Sequence, residues 1–149
     1  MPLTTMNVPP DMQDIAELEI SLSSALELSW LGLGTLVDVR QSMEIELKGA
    51  IPASVHIPLF EKPIKASGLD RIEQAELDAN HPTAADSKSF LGMIHQLQHV
   101  REQIVLCVCN DGQRSLYAAR RLRQADYPKA LAVTGGFQAW QRFQAMAAR

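Results

Sequence analysis

At 149 residues, 46% of them hydrophobic and 21% charged, the chain is long enough for one domain with a real core and too short for two comfortable ones. A formal net charge of -3 gives no electrostatic footprint for nucleic acid, and no apolar run reaches the roughly 18 residues of a membrane span. The N-terminus carries Asp11, Asp14, Glu17 and Glu19 without a basic residue or an apolar core, so it does not read as a signal peptide. The expectation is a soluble, cytoplasmic globular protein that binds no nucleic acid directly and no membrane.

Residues 1 to 19 read as a Pro-containing tail followed by a short amphipathic helix over 11 to 19, carrying Met12, Ile15 and Leu18. A single domain is expected over 20 to 149. Ser23 or Ser24 caps a helix running to Trp30, Gly32 and Gly34 break it, and residues 35 to 39 form a buried strand that contains a polar Asp38. Residues 44 to 48 suit a helix ended by Gly49, and 54 to 57 a second strand closed by Pro58. An insertion over 60 to 103 follows, with helices at 69 to 79 and 86 to 99 separated at Asn80-His81-Pro82, where proline pushes its predecessor out of helix. Phe90, Ile94 and Leu97 share one side of the second helix. The length of the insertion motivates placing it as a helical flap or edge near the site, since long loops in compact domains are often functional.

Residues 104 to 109 form an unbroken apolar run, as expected of a central parallel strand covered on both faces. A helix over 115 to 125 turns Leu116, Ala119, Leu122 and Ala125 inward, 130 to 133 is a last strand, Gly135-Gly136 a turn, and 137 to 148 a closing helix. Strands alternating with helices predict an α/β fold, a parallel sheet flanked by helices on both faces.

The chain has two cysteines, Cys107 and Cys109, too few for a disulfide framework or a closed zinc site, and badly aimed at each other in a strand. Cys107, inside the apolar run, reads as an inert strand residue. Cys109, at its exit, lies where parallel sheets bind ligands, beyond the carboxyl ends of the strands. The loop Asn110, Asp111, Gly112, Gln113, Arg114 and Ser115 leads into a helix N-terminus. Its backbone N–H groups and the helix dipole can converge on the sulfur and favour thiolate over thiol. Gly112 can take a positive φ, and Arg114 adds a fixed cation with a fork of donors. Whether Asp111, a carboxylate beside an anion cradle, points into the site or to solvent stays open at this stage. Elsewhere, Arg120, Arg121 and Arg123 suit a solvated helix face, His95 and His99 a solvated pair rather than a metal site, and Trp140 the core.

Three stretches together resemble the rhodanese family of sulfurtransferases. They are Leu36-Val37-Asp38-Val39-Arg40 with Glu44 after it, Gly49-Ala50-Ile51-Pro52-Ala53-Ser54-Val55-His56-Ile57-Pro58, and Cys109 to Ser115 echoed by Gly135-Gly136-Phe137-Gln138-Ala139-Trp140. The resemblance spans residues 20 to 143. It implies a rhodanese-like α/β fold and no cofactor. It also implies that Cys109 accepts sulfane sulfur as a persulfide, cradled by the amides of Asn110 to Ser115, with Asp38 and Arg40 in supporting positions. The donor would be thiosulfate or a protein or small-molecule persulfide, and the acceptor cyanide, a thiol or the thiol of a partner protein. Two departures stand out, Ala50 for a histidine and Ala53 for a glycine. The Gly49-Ala50-Ile51-Pro52 stretch, Pro58-Leu59 and the insertion also look like the rhodanese domain of tRNA 2-selenouridine synthases, although no GxxxxGK[ST] nucleotide motif occurs.

Two alternatives accompany the enzyme: a persulfide carrier or sensing module with little turnover, and a stand-alone partner of a tRNA selenium- or sulfur-modification system. Phosphatases of related architecture place five residues between cysteine and arginine. Here four lie between Cys109 and Arg114, which shortens the cradle by up to about 3.5 Å and predicts no aryl-phosphate hydrolysis.

Overall fold

The computed structural model describes residues 17–64, 68–97 and 101–148. Five strands, β1 (Glu19–Ile20), β2 (Gly34–Asp38), β3 (Val55–His56), β4 (Ile104–Val108) and β5 (Ala130–Val133), form one sheet in the order β1-β5-β4-β2-β3. Every pairing is parallel. The helices are α1 (Leu22–Trp30), α2 (Ser42–Lys48), α3 (Arg71–Ala79), α4 (Ala84–His95), α5 (Gln113–Gln124) and α6 (Gly136–Ala147).

β4 lies at the centre, with Cys107 in register with Val37 on one side and Ala132 on the other. Its side chains alternate between two cores. Val105 and Cys107 pack with Leu77 of α3, Phe90 and Ile94 of α4, and Ala118, Ala119 and Leu122 of α5. Leu106 and Val108 pack with Leu22, Ala25 and Leu26 of α1 and Phe137 of α6. A strand buried on both faces has no polar side to show, and this is why its sequence is an unbroken apolar run. The α/β architecture read from the alternation of strands and helices is the one formed.

Several boundaries differ from the sequence expectations, each for a local reason. β1 occupies the end of the helix predicted over 11 to 19, whose first six residues lie outside the described ones. Two residues carry no periodicity, and β1 exists only because Glu19 and Ile20 pair with Ala132 and Val133. The cap of α1 is Ser21, whose hydroxyl accepts the Ser24 N–H at 3.2 Å. Gly34 starts β2 instead of breaking a helix, and a Cβ there would come within 2.8 Å of Leu106 Cδ1. α4 begins at Ala84 because Thr83 and Asp86 form a reciprocal capping box.

α5 starts at Gln113, two residues before expectation, and its buried residues are Arg114, Ser115, Ala118, Ala119 and Leu122, with Leu116 only half-buried. Arg123 is half-buried and donates to the carbonyls of Ala130 at 2.9 Å and Glu17 at 3.0 Å. Trp140 is half-buried and stacks on Phe143 with ring centroids 5.6 Å apart, at the margin of the core. Among the described residues no helix is long and apolar enough to cross a membrane.

Candidate active site

Cys109 follows the last residue of β4 and is fully buried. Its position is held through its own backbone. The Val39 N–H donates to Val108 O at 2.8 Å, tying together the ends of β2 and β4. On the other side, the first turn of α6 caps the loop: Phe137 N–H donates to Cys109 O at 2.7 Å and Gln138 N–H to Asn110 O at 3.0 Å. This docking requires glycine. Gly136 has φ +53, and a Cβ there would stand 2.2 Å from Cys109 O. Sequence reading took Gly135-Gly136 for a turn. The signal available was the helix following it, whose free N-terminal N–H groups need acceptors.

Around the sulfur, the Gly112 N–H donates to Cys109 Sγ at 3.1 Å and Ser115 Oγ lies 3.5 Å away. Gly112 has φ +108, the conformation its place in the loop was expected to need. Not every loop amide serves the sulfur, however. The Gln113 N–H goes to Asp111 Oδ1 at 3.1 Å, and Gln113 Nε2 to Asp111 Oδ2. Asp111 therefore turns its carboxylate back over its own loop, with Oδ1 4.0 Å from Sγ.

The expectation that this environment favours thiolate is corrected by the geometry. Burial pushes the Cys109 thiol above its ordinary value; the Ser115 hydroxyl, the Arg114 charge and the Ser115 and Gly112 N–H groups only partly offset it. An anion cradle lowers a thiol pKa in net terms only when the sulfur keeps enough solvation. Cys107 is raised as well, first by burial and then by its neighbour Cys109, in keeping with an inert strand thiol. Both thiols are free.

Arg114 takes a different place from the one its sequence position suggested. Its guanidinium, 2% exposed, is gripped by two carboxylates instead of facing the sulfur as an open fork. Nη1 and Nη2 each lie 2.7 Å from an oxygen of Glu44, and Nη2 is 3.0 Å from Asp78 Oδ1. Its Nε–H has no partner among the described residues. Burial alone would raise the Glu44 pKa, but hydrogen bonds and charge from Arg114, with Gln74 and the Gln41 backbone, outweigh it and hold the carboxyl below its ordinary value. Arg114 thus reaches the sulfur through space, as a charge largely neutralised by its partners.

Asp78 also accepts from Asn110 Nδ2 at 2.8 Å, and Gln74 Nε2 bridges Glu44 and Asp78. Both Gln74 and Asp78 belong to α3, so the insertion clasps the reactive loop from one side. Sequence reasoning named Glu44 only within a motif and missed Gln74 and Asp78 as site residues. Their spacing of four on one helix was the visible sign of a shared face.

Asp38 and Arg40 form a buried ion pair at 2.8 Å. Arg40 Nη2 donates to Gly49 O at 2.7 Å and its guanidinium lies 4.0 Å above the Phe137 ring, so the pair braces the turn of α6 that holds Cys109 O. His95 is bonded to Tyr127 OH, and His99 lies outside the described residues. No group of three His, Cys, Asp or Glu side chains among the described residues is placed to hold a metal ion.

Known proteins share this fold. The family model for the rhodanese-like domain matches residues 21–143. The Drosophila melanogaster rhodanese domain-containing protein CG4456 is 26% identical over 105 residues, covering 70% of this chain and 79% of its own. Among solved structures, the human single-domain sulfurtransferase TSTD1 superposes with a TM-score of 0.52 at 23% identity, over 83% of this chain and 95% of that one. The Saccharomyces cerevisiae single-domain sulfurtransferase RDL2 gives 0.52 at 17%, over 84% and 89%.

Proposed function

The chain belongs to the rhodanese-like domain family, and from that premise we propose that it is a sulfurtransferase working through a persulfide on Cys109. The observation that carries this reading is the placement of one cysteine sulfur at the carboxyl end of the central strand, within 3.1 Å of the Gly112 N–H and beside Ser115 Oγ. The names of the human and yeast neighbours point the same way.

In the first half-reaction the Cys109 thiolate attacks the terminal sulfur of a sulfane donor, thiosulfate or a persulfide. The donor S–S bond breaks, and sulfite or a thiolate leaves with the electron pair. In the second, an acceptor thiolate or cyanide attacks the sulfane sulfur and the Cys109 thiolate is regenerated. The N–H groups of Gly112 and Ser115 and the Ser115 hydroxyl offset the charge on sulfur. We place the acceptor among small thiols and the thiol of a partner protein, in the cytoplasm, with no nucleic acid bound directly. Phosphate transfer is disfavoured because the Arg114 fork is already taken by Glu44 and Asp78.

Replacing Cys109 by Ser should abolish sulfur transfer to cyanide or thiols, because a hydroxyl cannot carry sulfane sulfur. Retained turnover in C109S would end the reading. Full burial of the sulfur also favours a second form of it, a persulfide carrier unloaded only by a partner. Intact-mass analysis separates the two. A carrier is isolated with one extra sulfur atom, lost on adding a thiol, and shows negligible turnover alone.

A further inference from the structure

We propose that Asp111 is a specificity-determining residue that turns this site away from dianionic donors such as thiosulfate and toward alkyl persulfides, whose sulfur group carries at most one negative charge. The inference rests on the sulfurtransferase reading above. Its first support is the way the loop is occupied. A cradle of successive amides at a helix N-terminus attracts an anion, and in this loop the anion is built in: Asp111 accepts both the Gln113 N–H and Gln113 Nε2. A sulfonate arriving with thiosulfate would compete with that carboxylate for the Gln113 amide.

The exposure of the loop is the second support. Asn110, Arg114 and Ser115 are buried, whereas Asp111 and Gly112 are half-buried and Gln113 is exposed, so the loop meets solvent at Asp111. A hollow of about 210 Å³ opens beside this stretch, and its charged lining groups are Glu19 and Asp111, both carboxylates. Among the described residues no basic side chain lines it, and Arg142 Nη2 stands 3.5 Å from where a Gly135 Cβ would be.

Charge behind the loop is the third support. Two cations, Arg114 directly and Lys48 through Gln74 Oε1 at 2.9 Å, face two carboxylates, Glu44 and Asp78, so this cluster offers no surplus positive charge to a donor. The neighbouring Arg40 is neutralised by Asp38.

The chemistry separates the donors on the same ground. With thiosulfate, a thiolate must meet a dianion, and sulfite departs still doubly charged, all beside a carboxylate 4.0 Å from the attacking sulfur. With an alkyl persulfide R–S–SH, Cys109 sulfur attacks the terminal sulfur and the S–S bond breaks. R–S⁻ leaves with the electron pair and Cys109–S–SH remains. The total charge is one unit instead of three.

The test is the rate of Cys109 persulfide formation, followed by intact mass, with thiosulfate and with 2-hydroxyethyl hydropersulfide, which carries no fixed charge. The ratio of thiosulfate to hydropersulfide rate constants should rise about tenfold in Asp111→Asn, where the side-chain oxygen can still hold the Gln113 N–H, and further in Asp111→Lys. In the unmodified protein, added salt should accelerate loading from thiosulfate through screening and change hydropersulfide loading much less. A ratio unchanged in both variants, or thiosulfate loading that slows with salt, overturns the role of Asp111. If neither donor loads the unmodified protein, the sulfurtransferase reading itself fails.

Discussion

At the scale of single residues, Ala53 shows what a departure from a family pattern does physically. Pro52 and Ala53 are the central residues of a turn closed by Ser54 N–H to Ile51 O at 3.2 Å, and Ala53 has φ +69. A type II turn needs a positive φ at its third residue, where glycine is the unstrained choice. For an alanine the left-handed region costs about 1–2 kcal/mol, and glycine gives back about 0.4–1 kcal/mol through its freer unfolded chain. Ala53→Gly should therefore stabilise the protein by roughly 0.5–1 kcal/mol, measurable as a rise in melting temperature of roughly 1–4 °C. A fall would show that the turn, not the residue, had been misjudged. The substitution itself was visible in the sequence; the positive φ that makes it costly was not.

At the scale of elements, the reactive loop is a joint between β4, α5 and α6, and the contact of α6 is the tightest. The N-terminal N–H groups of α6 take the carbonyls of Cys109 and Asn110, which turns those oxygens away from the loop interior. Gly136→Ala would drive a Cβ into Cys109 O, now 2.2 Å from that position, and would force a positive φ on alanine. The combined cost is of the order of 2–5 kcal/mol. Urea unfolding should show that loss, and sulfur transfer should drop with it because the loop must shift to make room. A G136A protein with unchanged midpoint and rate would mean that α6 does not hold the loop. α3 also holds the loop through Gln74 and Asp78, so this part of the insertion packs against the candidate site.

At the scale of the molecule, the Arg114–Glu44 pair joins residues 70 positions apart, from α5 to α2, and Asp78 adds α3. Since the Glu44 pKa is lowered on folding from an ordinary 4.5, its contribution to stability is fully present above that value and is lost as pH falls through the folded-state value. Glu44→Gln leaves Arg114 buried with a single carboxylate and should cost about 3 kcal/mol at neutral pH. Chemical denaturation from pH 7 down to pH 3 should show the difference between the two proteins shrinking below about pH 4.5. A difference independent of pH would assign the loss to packing rather than to charge.

Legible from the chain alone are the alternation of strands and helices, the doubly buried central strand and the cysteine loop at its exit. Each of these is written in local patterns: an apolar run, a glycine able to turn, a helix beginning just beyond. Tertiary structure alone decided which charges meet. Glu44, Arg114 and the α3 face that carries Gln74 and Asp78 lie far apart along the chain, and only packing of the insertion on α5 brings a second carboxylate to one guanidinium. It also decided that the Cys109 thiol is pushed up instead of down, because burial is a property of the closed fold and outweighs the loop donors that the sequence made visible. β1 and the docking of Gly136 on Cys109 belong to the same class: contacts between distant segments, too short or too close to leave a periodic trace.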